Sequence, residues 1–156
     1  MDKIWRSELP NDIKIGIFRA TVESVLLYGS ETWTLSERLH KRLDGTYTNL
    51  LRRVQGISWK DHATLKTIYG TLPTISSTLR GRRAQFAGHS FRATNELSST
   101  FVLWKSTAVG RRGRKLTFPD ILCRDTGLLF EDLPVAMNDR DTWKEIVSKI
   151  SVEAAG

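Results

Sequence analysis

The sequence predicts a mainly α-helical fold, and three observations carry that expectation. Apolar residues recur at the three- and four-residue spacing of a buried helix face. Capping residues and glycines mark where those patterns start and stop, and no internal repeat or low-complexity linker interrupts them.

A turn around Leu9-Pro10-Asn11 precedes a helix whose apolar face is Ile15, Phe18, Val22, Val25 and Leu26, ending near Gly29. Ser36 is suited to cap the next helix. Its Leu39, Leu43, Tyr47, Leu50, Leu51 and Val54 share one face, with Lys41 and Arg52 opposite toward solvent. Gly45 interrupts that helix and Gly56 stops it. A shorter helix follows, capped by Asp61 and running through Leu65, Ile68 and Tyr69 to Gly70, and "GTLPT" turns the chain into a long basic helix. Residues 95–109 fit a helical turn or a short strand, so a minor β element near 99–106 stays open. A helix from Phe118 to Asp125 should stop at Thr126-Gly127. The last begins near Asp139 or Asp141, with Trp143, Ile146, Val147 and Ile150 in one stripe.

The 156 residues, 40% hydrophobic and 26% charged, suffice for one globular domain or two small ones with a buried core. A formal charge of +7 favours polyanionic partners, nucleic acid first, and says nothing about fold. Residues 1–128 hold 21 basic and 11 acidic side chains, whereas 129–156 hold 3 and 6. Basic function is therefore expected before Leu128. A single cysteine, Cys123, excludes an internal disulfide, fits an intracellular reducing compartment and reads as a small buried hydrophobe. No apolar run approaches the roughly 20 residues of a membrane span, and "MDKIWRSELP" lacks the apolar core of a secretion signal, so a soluble protein is expected.

Active-site chemistry is not legible. His40, His62, His89 and Cys123 show no zinc-site spacing, and Pro119-Asp120 is not followed by the remainder of a metal-dependent nuclease motif. There is no phosphate loop, no GxSxG and no paired aspartates for two magnesium ions. No catalytic residue, metal or cofactor is expected. The five tryptophans read as core or rim packing, with Trp59 beside Lys60 the one best placed to stack on a base.

Two basic segments are the candidate binding residues. In "RGRRAQFAGHSFR", at 100° per residue, Ile75, Leu79 and Phe86 fall within about 40° of one another and define a buried seam. Arg82 and Arg83 flank that seam, while Arg80 and Arg92 point away from each other. The arginines therefore make no single clean stripe. Arg82 and Arg83 can instead lay their stems along the seam and set their guanidiniums at its rim or against carboxylates. In "GRRGRK", Arg111, Arg112, Arg114 and Lys115 crowd together between glycines that let a ligand approach the backbone, a density that suits phosphate contact.

Six phrases in order, "VESVLLYGSETWTL", "KRLDGTYTNLLRRV", "WKDHATLKTIYGTLPTIS", "RGRRAQFAGHSFR", "GRRGRKLTFPDILCRDTGL" and "DRDTWKEIV", resemble the carboxy-terminal region of non-LTR retrotransposon reverse transcriptases of the RTE and BovB type. The resemblance runs from about Trp5 to Ser151. It implies a thumb, beginning near Asp12, that holds template and primer, followed by a basic helical segment around Arg82 and Arg114 that contacts RNA or DNA. The family's catalytic aspartates and endonuclease lie upstream of these phrases, so the chain is expected not to polymerise alone. Met1 falls where the family is mid-protein, which suggests a truncated element copy. Departures are modest: Ser30 stands where Cys is frequent, Phe118 where Tyr or Trp is usual, and "GRRGRKLTFPD" has less Gly and Pro than the family's form.

The expected organisation is a thumb-like helical part over 1–56, a basic part over 57–128 and an acidic C-terminal helix over 129–156, or one continuous domain. Expected partners are RNA or DNA held by phosphate contacts without sequence preference, the missing palm, and a second copy of the chain, in cytoplasm and nucleus as the resemblance implies. Two alternatives stand beside this. One is a relic without independent function, exposing apolar surface around Val25, Leu26 and Trp33; the other is a helix-turn-helix DNA-binding protein.

Overall fold

The computed structural model describes residues 2–93, 97–105 and 116–151, and these are mainly helical with no strand among them. Helices α1 (Asp2–Trp5), α2 (Asn11–Phe18), α3 (Ser24–Leu26), α4 (Glu37–Gln55), α5 (Leu65–Tyr69) and α6 (Ile75–Arg92) are followed by α7 (Leu97–Phe101), α8 (Phe118–Thr126), α9 (Leu133–Asn138) and α10 (Arg140–Ser151). The strand option near 99–106 is not realised over the described residues, where α7 runs to Phe101 and a turn follows. The chain divides into two compact units, residues 2–29 with 35–76, and residues 30–34 with 77–151. Within these units α5 packs on α4, and α9 and α10 share one core with α6 and α8.

In the first unit, α4 lies between the α2 region and α5. It begins after Ser36 and stops at Gly56, whose φ of 70° is the left-handed geometry that glycine adopts without strain. Tyr47, Leu51 and Val54 are buried, but Leu39 is 42% exposed. Arg52 does not face solvent as expected; its Nη2 donates to the Ala63 carbonyl at 3.0 Å and ties down the segment before α5. Phe18, Tyr47 and Tyr69 stack in sequence, with ring centroids 5.5 and 6.1 Å apart. Tyr47 donates to the buried Glu23 carboxylate at 2.6 Å. Burial first, and then Glu23, push the Tyr47 hydroxyl well above its ordinary pKa, so it stays a donor.

Between α2 and α3, residues Arg19–Glu23 form a π-helical turn. The wider turn shifts the helix face by about one position. That shift explains why Val25, expected inside, is 75% exposed while Glu23 and Leu27 are buried. Asp61 also differs from expectation. It accepts from the Ser58 backbone N–H at 2.6 Å and closes the turn at Trp59–Asp61, leaving Thr64 to cap α5.

The second unit is organised around α6. Ala84 and Ala87 of α6, Val102, Leu122 of α8, Leu133 and Met137 of α9, and Trp143 of α10 form its core. Gly81, Ala84 and Gly88 let α10 approach closely: the Trp143 indole N–H donates to the Ala84 carbonyl at 2.9 Å, and a Cβ on Gly88 would lie 2.2 Å from that indole nitrogen. Phe86, expected in the buried seam, is 37% exposed. Arg83 sits inside instead, with no solvent exposure. Its Nη1 pairs with the Asp125 carboxylate on α8 and its Nη2 donates to the Trp33 carbonyl at 2.7 Å. Burial lowers the Arg83 pKa, against the opposing pull of Asp125. Helix α8 itself is set by Thr117, whose N–H and hydroxyl both reach Asp120, and by Gly127 at φ 73°.

Two expectations follow for stability. Asp125→Ala leaves a buried guanidinium uncompensated and should cost about 3–5 kcal/mol in urea unfolding, with the double variant Arg83→Met/Asp125→Leu recovering much of it. Gly88→Ala forces a methyl into a held indole ring and should cost about 1–3 kcal/mol, whereas Gly45→Ala, with nothing within 4 Å of the added carbon, should gain about 0.5–1 kcal/mol.

Candidate functional site

Solvent-facing cations matter for binding, and the second unit concentrates them along α6. At 100° per residue, Arg82, Gln85, His89 and Arg92 share a face about 80° wide. This face borders two concave spaces. The first, about 460 Å³, is lined by Glu31, Arg82, Gln85, Phe86 and His89. The second, about 390 Å³, brings Gln85, His89 and Arg92 together with Arg140 and Lys144 of α10 over the packed Trp143 and Val147.

Of the expected binding residues, Arg82 and Arg92 lie in this region. The Arg82 guanidinium is 3.8 Å from the Glu31 carboxylate, as an arginine laid along a rim against a carboxylate should be. Arg92 donates from Nη1 to the Met137 carbonyl at 2.6 Å, which fixes the side chain and leaves its remaining donors for another acceptor. Arg80 is half-buried. Arg83, committed to Asp125 and Trp33, is withdrawn from solvent and offers nothing to a ligand. Arg111, Arg112, Arg114 and Lys115 lie outside the described residues.

Arg140 and Lys144 are the residues that sequence reasoning missed. They sit one helical turn apart on α10, in a segment whose net charge is negative, and both are exposed. Asp139 at the start of α10 is occupied, accepting from the Asp141 N–H at 3.1 Å and from the Thr142 hydroxyl; these bonds hold its pKa below the ordinary carboxylate value. No described carboxylate forms an ion pair with Arg92, Arg140 or Lys144. The spacing that could have found them is Arg140-x-x-x-Lys144 on the side of α10 next to the Trp143 stripe.

Other polar clusters resolve into architecture. Ser76 donates its hydroxyl to Asp44 at 2.7 Å and its backbone N–H to the same carboxylate at 3.0 Å, with His40 Nδ1 3.2 Å from the hydroxyl oxygen. A nucleophilic serine needs its proton directed to the imidazole, whereas here it goes to Asp44, and the group is buried. Asp44 thereby caps the start of α6 from α4. Asp120 is taken up by Thr117 and by Lys105 at 3.5 Å. Among the described residues no three His, Cys, Asp or Glu side chains gather as metal ligands, and no helix is long and apolar enough to cross a membrane.

Two tryptophans, Trp59 and Trp104, are exposed at 75% and 57%, while Trp5 and Trp143 are buried. Ile75, Ser76, Ser77 and Leu79 in the first turns of α6 are buried as well. A recognition helix presents those turns to base edges, so their burial counts against the helix-turn-helix alternative. The chain matches no family model, no curated protein and no solved structure.

Proposed function

We propose that this chain is a nucleic-acid-binding helical region of the kind it resembles, the part carboxy-terminal to the palm in a non-LTR retrotransposon reverse transcriptase, and that it holds RNA or DNA through phosphate contacts without catalysing a reaction. The observation that supports binding is the α6–α10 cleft, where Arg92, Arg140 and Lys144 converge and none of them is paired with a described carboxylate. Like charges gathered in a concave setting repel one another unless a polyanion completes the site. Arg111, Arg112, Arg114 and Lys115 form a second, separate basic segment in the sequence. Phosphate contacts position a strand and do not read its sequence, so no base preference follows.

The test is a salt titration of binding to a labelled RNA hairpin and a DNA duplex. Arg140→Ala/Lys144→Ala should weaken binding to all sequences alike and flatten the log–log salt slope by about 0.9 per lost contact on duplex DNA or about 0.7 on single strands. Changing Arg111, Arg112, Arg114 and Lys115 to Ala should act in the same direction. A folded protein that binds neither probe at low salt overturns the reading, as does a strong preference between DNA sequences.

A further inference from the structure

The two concave spaces along α6 differ chemically, and they are adjacent, since both are bordered by Gln85 and His89. The α10 end carries Arg92, Arg140 and Lys144 and no acidic lining residue. The other end carries an exposed aromatic ring, Phe86, beside the Gln85 amide and the Arg82–Glu31 ion pair. Phosphates belong at the first end. At the second, Glu31 offsets the charge of Arg82, and ring, amide and carboxylate match a base: a π face to stack on, and an acceptor for an exocyclic amine.

Resting on the nucleic-acid reading above, we infer that the α6 groove binds a single-stranded segment, with one unstacked base on Phe86 between Gln85 and Glu31 and the adjoining phosphates on Arg92, Arg140 and Lys144. Each space, at about 460 and 390 Å³, lies within the range of small-ligand sites and suits a nucleotide-sized group. A duplex keeps its base faces stacked and presents only phosphates and groove edges, so it meets the cationic end but has nothing to place on Phe86.

The polarity also accounts for Phe86 itself. Ala84 and Ala87 beside it are fully buried, whereas Phe86 is 37% exposed. An aromatic ring left at the surface next to a cationic space is the arrangement that single-strand binders use as a stacking platform.

The experiment measures fluorescence anisotropy of a labelled single-stranded RNA and a labelled DNA duplex with the full chain. The variants are Phe86→Ala, Phe86→Trp and Arg140→Ala/Lys144→Ala, each with an unchanged thermal melt. Phe86→Ala is expected to lower single-strand affinity about tenfold with an unchanged salt slope and unaltered duplex binding, and Phe86→Trp to keep or raise it. Arg140→Ala/Lys144→Ala should weaken both probes and flatten both slopes. If Phe86→Ala leaves single-strand binding unchanged, or weakens both probes equally, the stacking site is wrong while the charge variant still supports phosphate binding. If the unaltered protein binds neither probe, both readings fall.

Discussion

The second unit depends on one buried contact, the guanidinium of Arg83 against the carboxylate of Asp125. A charged pair withdrawn from water is held together only when geometry and further hydrogen bonds offset the loss of hydration. Here the Trp33 carbonyl supplies one further acceptor, at 2.7 Å, for the other terminal nitrogen. The contact therefore joins three stretches remote in sequence: the segment at Trp33, α6 and α8. Its value lies less in net stability than in direction. An aliphatic side chain at position 83 would pack in several rotations of α6, whereas a fork that must meet both a carboxylate and a carbonyl accepts far fewer.

Fixing the rotation of α6 decides what its other faces do. With Arg83 pointing inward, Gly81, Ala84 and Gly88 meet α10, and the indole of Trp143 reaches the Ala84 carbonyl. Arg82, Gln85, His89 and Arg92 are then left on the remaining arc, facing solvent. The buried arginine and the exposed ones are thus linked: one sets the orientation that brings the others to the cleft. The same close approach of α10 carries Arg140 and Lys144 to its far wall.

Where structure is set by neighbours in sequence, it was legible. Gly127 ends α8 and Gly56 ends α4 where the sequence places them, because left-handed glycines act within a turn; Ser36 stands at the start of α4 although its side chain makes no capping hydrogen bond. What was not legible came from distant partners or from a break in periodicity. The wheel placed Arg83 close to Leu79, already on the inward side, but its carboxylate lies 42 residues away and leaves no local signal. The π-helical turn at Arg19–Glu23 moved Val25 outward and Leu27 inward, which a constant 100° per residue cannot anticipate. Phe86 was assigned to the core from its place on the wheel beside Ile75 and Leu79, whereas the core at that level is made by Ala84, Ala87 and Trp143 of α10.

The cationic site illustrates why net charge is a poor guide to a surface. Residues 129–156 are acidic in sum, yet two of their three basic side chains, Arg140 and Lys144, line the cleft. Conversely, the arginine-rich stretch of α6 contributes fewer ligand-facing cations than its composition suggests, because Arg83 is buried against Asp125 and Arg82 faces Glu31. Attraction for a polyanion is set by charges that remain uncompensated at the surface, since a paired cation adds little field beyond about a Debye length, roughly 8 Å at physiological salt. By that criterion the strongest described site is made by two helices whose cations are far apart in the chain, and its acid-free end, not the density of arginines in any one segment, is what gives the groove a direction.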